Sequence, residues 1–320
     1  DWSSDVCSSD LAISRDIFNT VSKGGEDGVS TYLNEAKKYG LLDQNIEVNE
    51  LKYVLNKAII NKQAPPRYLL LMGLANFNPK NYNGASQIPV YESAASTGLL
   101  TSYPTDDFYA ILNDNDDINN NSNIKNLSLE VGRLPVRSIA EADSVVEKII
   151  NYQKNTNGGA WKNKITWVAD DGDYNLHLQD AEEIVAHLQE KASWWNQKKI
   201  YLDLHAATKN IAGNTYPGVN SDITQTVNDG TLVLNYTGHG NPRLWAHEAV
   251  FVRESDFPYL NNKGKYFILV AATCNYSFFD AVNDQSSGEI LSAMPDAGAI
   301  AGFSASRVAF SGDNSDLNQS

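Results

Sequence analysis

Hydrophobic residues along this chain fall into short β-branched runs separated by stretches of helical spacing, and the alternation is cleanest in the C-terminal half. The runs Lys164 to Ala169, Lys199 to Leu204, Thr231 to Tyr236, Tyr266 to Ala272 and Ala297 to Phe303 are too short for helices and predict buried strands. Between them Leu178 to Trp194, Ser221 to Asn228 and Ser286 to Ala293 have helical length. Strands alternating with helices predict right-handed crossovers and a mainly parallel sheet. In the first half, helical spacing at Asp27 to Tyr39 and Val48 to Lys62 ends at Ala64-Pro65-Pro66 and leads into a buried strand at Arg67 to Gly73. A polar, loop-rich region from Asn76 to Asn126 precedes a short strand at Leu129 to Val136. Ile139 to Gln153 then reads as a helix with Val145, Val146, Ile149 and Ile150 on one side. The run Asn155-Thr156-Asn157-Gly158-Gly159 reads as a linker. The expected organisation is an N-terminal α/β subdomain over residues 12–157 and a second α/β subdomain, carrying the chemistry, over residues 158–320.

Residues 1–11 stand outside this pattern. Asp1-Trp2-Ser3-Ser4-Asp5-Val6-Cys7-Ser8-Ser9-Asp10-Leu11 looks like a translated sequencing adapter and is set aside from the fold argument. The chain stops inside what reads as a helix start, Asn314 to Asn318, so it is expected to be a fragment truncated at its C-terminus. With the leader removed, Cys274 is the one remaining cysteine and has no partner for an intrachain disulfide.

Composition narrows the function classes. At 320 residues and 42% hydrophobic, the chain can bury two α/β layers of ordinary size. A formal charge of −14 argues against nucleic acid, which needs clustered Lys and Arg. No apolar run approaches the roughly 18–20 residues of a membrane helix.

Two candidate residues sit where predicted strands stop. His239 lies between glycines in Leu234-Asn235-Tyr236-Thr237-Gly238-His239-Gly240, and Cys274 ends Leu269-Val270-Ala271-Ala272-Thr273-Cys274. Open α/β sheets build their sites at such exits. A free thiol near pKa 8.5 is only a few per cent thiolate at neutral pH, so a nucleophilic cysteine needs a neighbouring base. His239 is the candidate base, and its glycine neighbours let a substrate backbone approach while Gly240 offers an N–H to a developing oxyanion. Taken singly, Cys274 also reads as a small buried hydrophobe and His239 as a turn histidine. A third group comes from Asp170-Asp171-Gly172-Asp173, after another strand, whose acids either orient the histidine or cap the following helix. Asp171 is the first choice. Histidines 177, 187 and 205 have no recognised zinc spacing. The acidic stretch Asp106 to Asp117 fails the EF-hand pattern; Asp106 and Asp107 either hold a structural calcium or form a solvated loop.

These residues carry a family resemblance. Tyr236-Thr237-Gly238-His239-Gly240 with Ala271-Ala272-Thr273-Cys274-Asn275 resembles the gingipain family of cysteine peptidases, relatives of the caspases. Upstream, Tyr68 to Gly73, Tyr103 to Tyr109 and Val131 to Val136 resemble the same family, so the likeness spans nearly all of residues 30–320. It implies an α/β, caspase-like two-subdomain sandwich with mainly parallel sheets flanked by helices. It implies Cys274 as nucleophile, His239 as general base and acid, and Gly240 as oxyanion donor, with no cofactor required for catalysis. Asp171 stands where gingipains place a glutamate; being one methylene shorter, it leaves Asp173 as the alternative partner of the imidazole. Val168 to Asp173, Phe278-Phe279-Asp280, Ser287-Gly288-Glu289 and Ser304 to Arg307 are most similar to the sortase branch of the type IX secretion system. That branch implies secreted cargo with a C-terminal sorting domain as substrate, a lipopolysaccharide amine as acceptor, other secretion components as partners, and the cell surface of a Gram-negative bacterium as location. Two other readings stay open: a secreted gingipain-like protease that hydrolyses peptides, and a catalytically silent docking module of the secretion machinery.

Overall fold

A computed structural model describes residues 127–319 almost throughout, with 155–157, 212 and 282 excepted, and before them 67–77, 88–93, 102–112, 118 and the backbone of 11–12. The helices expected at Asp27 to Tyr39 and Val48 to Lys62 lie outside the described residues, as do most of the linker and Asp114 to Asp117. The chain divides into two compact units, one of Asp1–Ile139 with Phe279–Asn283, the other of Ala140–Phe278 with Asp284–Ser320.

In the first unit, strands β1 (Tyr68–Met72) and β2 (Glu130–Leu134) pair in parallel, with Leu69 and Leu71 buried. Both lie within runs predicted as strands. Leu11–Ala12 pairs antiparallel with Leu71 and Leu70, so Leu11, set aside with the leader, takes a ladder position.

Helix α1 (Ile139–Lys154) begins at the junction of the two units and from Ala140 on belongs to the second. The sequence reading placed it in the first subdomain. What draws it across is Lys148, a buried lysine on its apolar side, whose Nζ donates to the carbonyls of Leu291 (3.4 Å), Ala297 (3.2 Å) and Ala299 (2.8 Å). A polar residue inside an apolar stripe is invisible to a reading of hydrophobic spacing alone.

The core of the second unit is a parallel five-stranded sheet. Its strands in chain order are β3 (Lys164–Ala169), β4 (Asn196–Tyr201), β5 (Val233–Thr237), β6 (Phe267–Ala272) and β7 (Ala299–Ser304). Across the sheet they run β7-β6-β5-β3-β4, every neighbour parallel. The chain therefore goes from β3 to one side, then returns past β3 to the other, and the order reverses between β3 and β5. Loops leaving the carboxyl ends of those two strands diverge there, which opens the crevice that doubly wound sheets use for ligands.

Side chains of β3 alternate between faces as a strand requires. Ile165, Trp167 and Ala169 pack with Ala181 and Val185 of α2 (Gly172–Lys191), while Val168 faces Val219, Ile223 and Val227 of α3 (Pro217–Asp229). Helix α3 starts four residues ahead of its apolar run because Pro217 occupies the first turn, where a missing N–H costs nothing. Helix α4 (Ser287–Ala293) opens with a capping box in which Ser286 N and Oγ both donate to Glu289 Oε2 (2.7 and 2.6 Å). Helix α5 (Ser311–Gln319) follows β7. The fold is α/β with a mainly parallel sheet flanked by helices, as the pattern predicts.

Candidate active site

The register of the sheet brings the two predicted catalytic loops to one edge. Thr237 of β5 is paired with Ala272 of β6 in parallel, so His239 and Cys274 each stand two residues beyond a matched pair at the carboxyl end of adjacent strands. Gly238 N donates to Ala272 O (3.3 Å) and extends that match by one bond. A Cβ at Gly238 would lie 2.4 Å from Asp170 Cβ and 2.6 Å from the Tyr236 hydroxyl, so only glycine lets the β5 exit run this close to the β3 exit.

Asp170 ties these exits together. Its Oδ2 accepts from His239 N (2.9 Å), its Oδ1 accepts from Gly172 N (3.2 Å), and its own N–H donates to Thr237 O (3.1 Å). The carboxylate is buried and consumed by backbone donors, which suits it to shaping the loop. The histidine carbonyl is fixed as well, accepting from Ala246 N (2.7 Å) and from the Tyr236 hydroxyl, and Tyr236 in turn stacks on Trp245 with ring centroids 4.4 Å apart.

The imidazole of His239 is half-buried and its Nε2 stands 2.9 Å from Asp173 Oδ2. Two more histidines crowd it: His177 edge-on, with ring centroids 5.0 Å apart, and His247 at 4.8 Å. Asp173 reaches the ring because Asp173, Tyr174 and Asn175 are all left-handed (φ 53°, 57° and 63°), interrupting the first turn of α2. Asp171 does not reach it. Its Oδ2 accepts the hydroxyl proton of Tyr216 (2.5 Å), an arrangement that holds the Tyr216 pKa above its ordinary value. The expectation of Asp171 as partner of the imidazole is thus corrected to Asp173, because Asp171 is held by Tyr216 while Asp173, in the left-handed turn, faces the ring. Asp170 and Asp171 also gather with Glu248, whose carboxyl pKa is raised by burial, the two aspartate charges adding to it.

Cys274 lies just past the end of β6, partly buried, and its Sγ donates to Ala309 O (3.4 Å). The residues after it are held from two sides. Asn275 N donates to Arg307 O (2.8 Å), Ser277 N to Ala305 O (3.1 Å), and Tyr276 O accepts from Gly288 N (2.9 Å) of α4. Asn275 has a positive φ of 30°, a backbone outlier of the kind that clusters at functional turns. Tyr276 is fully buried beside Trp245 and is core rather than pocket wall. Gly240 opens a hairpin with Leu244–Trp245. Because His239 O takes the ladder bond from Ala246 N, Gly240 is a non-hydrogen-bonded position whose N–H turns away from the partner strand.

At the calcium candidate, Asp106 Oδ1 and Oδ2 accept from Arg133 Nη2 (2.6 Å) and Nε (2.7 Å). The same guanidinium donates to Gly73 O (3.0 Å) and is almost wholly buried. Asp106 serves there as the counter-ion of an arginine. Asp107 has its pKa raised by burial and by the Asp106 charge, and its N–H donates to Thr105 Oγ1 (3.2 Å). Among the described residues, the groups of three possible metal ligands are Asp173, His177 and His239, and Asp170, Asp171 and Glu248; neither contains Asp106 or Asp107. His187 is exposed and takes no part. Sequence reasoning missed Tyr216 and His247 at this site, and it named Asp170 and His177 without giving either a role of its own. Tyr216 meets Asp171 only through the fold, and His247 comes back onto His239 through the short hairpin of Gly240–Asn241 with Leu244–Trp245, which no hydrophobic period marks.

The fold is thus a parallel α/β sheet that places a histidine loop and a cysteine loop at the carboxyl ends of adjacent strands. The model of peptidase family C25 matches residues 8–320, and the chain belongs to that family, one of cysteine peptidases. It is similar to Lys-gingipain W83 of Porphyromonas gingivalis, 26% identical over 183 residues, which are 57% of this chain and 10% of that protein. Lys-gingipain HG66 of the same organism is 25% identical over 186 residues with the same coverage. The chain thus spans about a tenth of the length of these curated relatives. Among solved structures it shares its caspase-like fold with the Arg-specific cysteine proteinase gingipain R (RgpB), at a TM-score of 0.64 and 16% identity, covering 90% of this chain and 62% of that one. A complex of the RgpB pro- and mature domains from Porphyromonas gingivalis gives the same TM-score at 15% identity, with 92% and 64% covered.

Proposed function

We propose that the chain is the catalytic region of a cysteine endopeptidase working through Cys274 and His239. The register that sets both residues two positions beyond the Thr237–Ala272 pair carries the reading, and membership of family C25 supports it. Asp173 holds His239 Nε2 in the tautomer that bears its proton, which leaves Nδ1 to take the proton of the Cys274 thiol. The thiolate attacks the carbonyl carbon of the scissile peptide, and the oxyanion accepts a hydrogen bond from Gly240 N. The imidazolium returns its proton to the leaving amine as the C–N bond breaks, and an acyl thioester remains on Cys274. An incoming nucleophile then gives its proton to His239, bonds to the acyl carbon and expels the thiolate.

The identity of that nucleophile separates two enzymes. An amine of a surface lipopolysaccharide makes the protein a sortase of the PorU type, acting on type IX secretion cargo at its C-terminal sorting domain, at the surface of a Gram-negative cell. The similarity of the segments Val168–Asp173 and Ser304–Arg307 to that branch favours this outcome. Water makes it a gingipain-like protease, the reading favoured by the names of the relatives. The test incubates the full-length protein with a cargo bearing a sorting domain and an excess of a small primary amine, and weighs the products. Amine-conjugated cargo supports the transferase, and free carboxylate alone supports the protease. Processing that persists in Cys274→Ala contradicts both.

A further inference from the structure

The structure assigns a divalent transition-metal site to Asp173, His177 and His239. Each offers one ligand atom, and all three atoms lie within 4.8 Å of one another. Asp173 Oδ2 is 2.9 Å from His239 Nε2 and 3.4 Å from His177 Nε2. Ligands held at about 2.0–2.2 Å around a tetrahedral zinc stand about 3.3–3.5 Å apart, so the His177 separation already meets that value and the His239 one needs to open by only about half an ångström.

The second observation is His177 itself. Its side chain is 6% exposed, and Nε2 has no hydrogen-bond partner even though it points at the Asp173 oxygen. A buried ring nitrogen left unpaired is costly. If Nε2 lacks a proton, its lone pair faces that of a carboxylate, and a cation between them satisfies both. Two imidazoles and one carboxylate are a donor set that suits Zn²⁺ and its neighbours in the first transition row. The pattern was hidden in the sequence because His239 lies 66 residues from Asp173 and reaches it only through the fold.

This inference rests on His239 being the catalytic base. A metal on His239 Nε2 takes the position where Asp173 supports the imidazole and disfavours the imidazolium that the reaction forms. Binding therefore switches acyl transfer off reversibly, and the metal acts as an inhibitor read by the base.

The test titrates Co²⁺ into chelator-stripped full-length protein and follows its visible d–d absorption, alongside alkylation of Cys274 in metal-free buffer. The expected result is a tetrahedral band without sulfur-to-cobalt charge transfer, retained in Cys274→Ala and weakened in affinity at least about tenfold in His177→Gln. Asp173→Asn, a change at an exposed carboxylate, is expected to weaken it likewise and covers the case in which the buried His177 variant does not fold. Unchanged affinity in a folded His177→Gln or in Asp173→Asn overturns the site, as does a charge-transfer band that vanishes in Cys274→Ala, since the metal then sits on the thiol. A normal cobalt site with an unreactive Cys274 would keep the metal assignment and overturn the catalytic reading instead.

Discussion

At the residue scale the site turns on which acid meets which partner. Asp173 faces the imidazole, whereas Asp171 is occupied by Tyr216. Asp173→Asn is therefore expected to slow alkylation of Cys274 at neutral pH by about tenfold or more, while Asp171→Ala changes it little and lowers stability by about 1–2 kcal/mol through the lost hydrogen bond from Tyr216. The reverse ranking would return the orienting role to Asp171. Gly238 offers a steric test of the same corner. Its substitution by Ala forces a methyl against Asp170 Cβ at 2.4 Å, and a loss of about 1–3 kcal/mol is expected in denaturant unfolding. A neutral effect would mean that the two strand exits do not approach so closely. His239, Gly240 and Cys274 were legible as candidates because glycines and apolar runs mark strand ends locally. Asp171 and Asp173 were not separable, because Asp173 sits in a turn of three left-handed residues that no periodicity encodes and Asp171 meets Tyr216 only through the fold.

Among the elements, the parallel strands read most clearly. Lys164–Ala169 matches its predicted run, and the β6 prediction differs by one residue. The run at Lys199 to Leu204 was displaced: the strand is Asn196–Tyr201, and Leu202–Leu204 forms a 3-10 turn. Here β4 is the sheet edge, and its lysines are exposed enough to pair with acids, Lys198 with Asp222 (2.5 Å) and Lys199 with Glu182 (2.6 Å). Edge strands carry charge to discourage further pairing, which erases the apolar signature by which buried strands are read. The start of α2 was read at Leu178 for a related reason, since the left-handed turn interrupts helical spacing. Tyr174 is fully exposed at φ 57°. Replacing it by Gly removes steric strain of about 1–2 kcal/mol against a glycine entropy cost of about 0.5–1 kcal/mol, so a net gain in melting temperature is expected, with none for Tyr174→Ala. Equal effects of the two variants would show that the turn is not strained.

For the whole molecule, the α/β class and the order of elements followed from the alternation, but the division into units did not. The sequence put the boundary at the Asn155–Gly159 linker, whereas α1 joins the second unit from Ala140 on. Lys148, which anchors that helix, gives the molecule a pH signature. Burial pushes its amine down from 10.5 to about 7. The unfolded chain thus binds more protons than the folded one between those values, and stability rises with pH across that window. The burden of the buried charge is fully present below about pH 7. Lys148→Met is expected to flatten this rise, as read by denaturant unfolding at pH 7 and pH 10; a rise of the same size in the variant would place its origin elsewhere. Among the described residues no helix is long and apolar enough to cross a membrane.

The proposed pairing of the Cys274 thiol with the His239 imidazole underlies every step proposed for this protein, and the rate at which Cys274 is alkylated at neutral pH in chelator measures it most directly. The account predicts that His239→Ala, folded as judged by circular dichroism, slows that rate by about tenfold or more. Equal rates in the variant and the natural protein would contradict it, because the thiol would then owe nothing to His239.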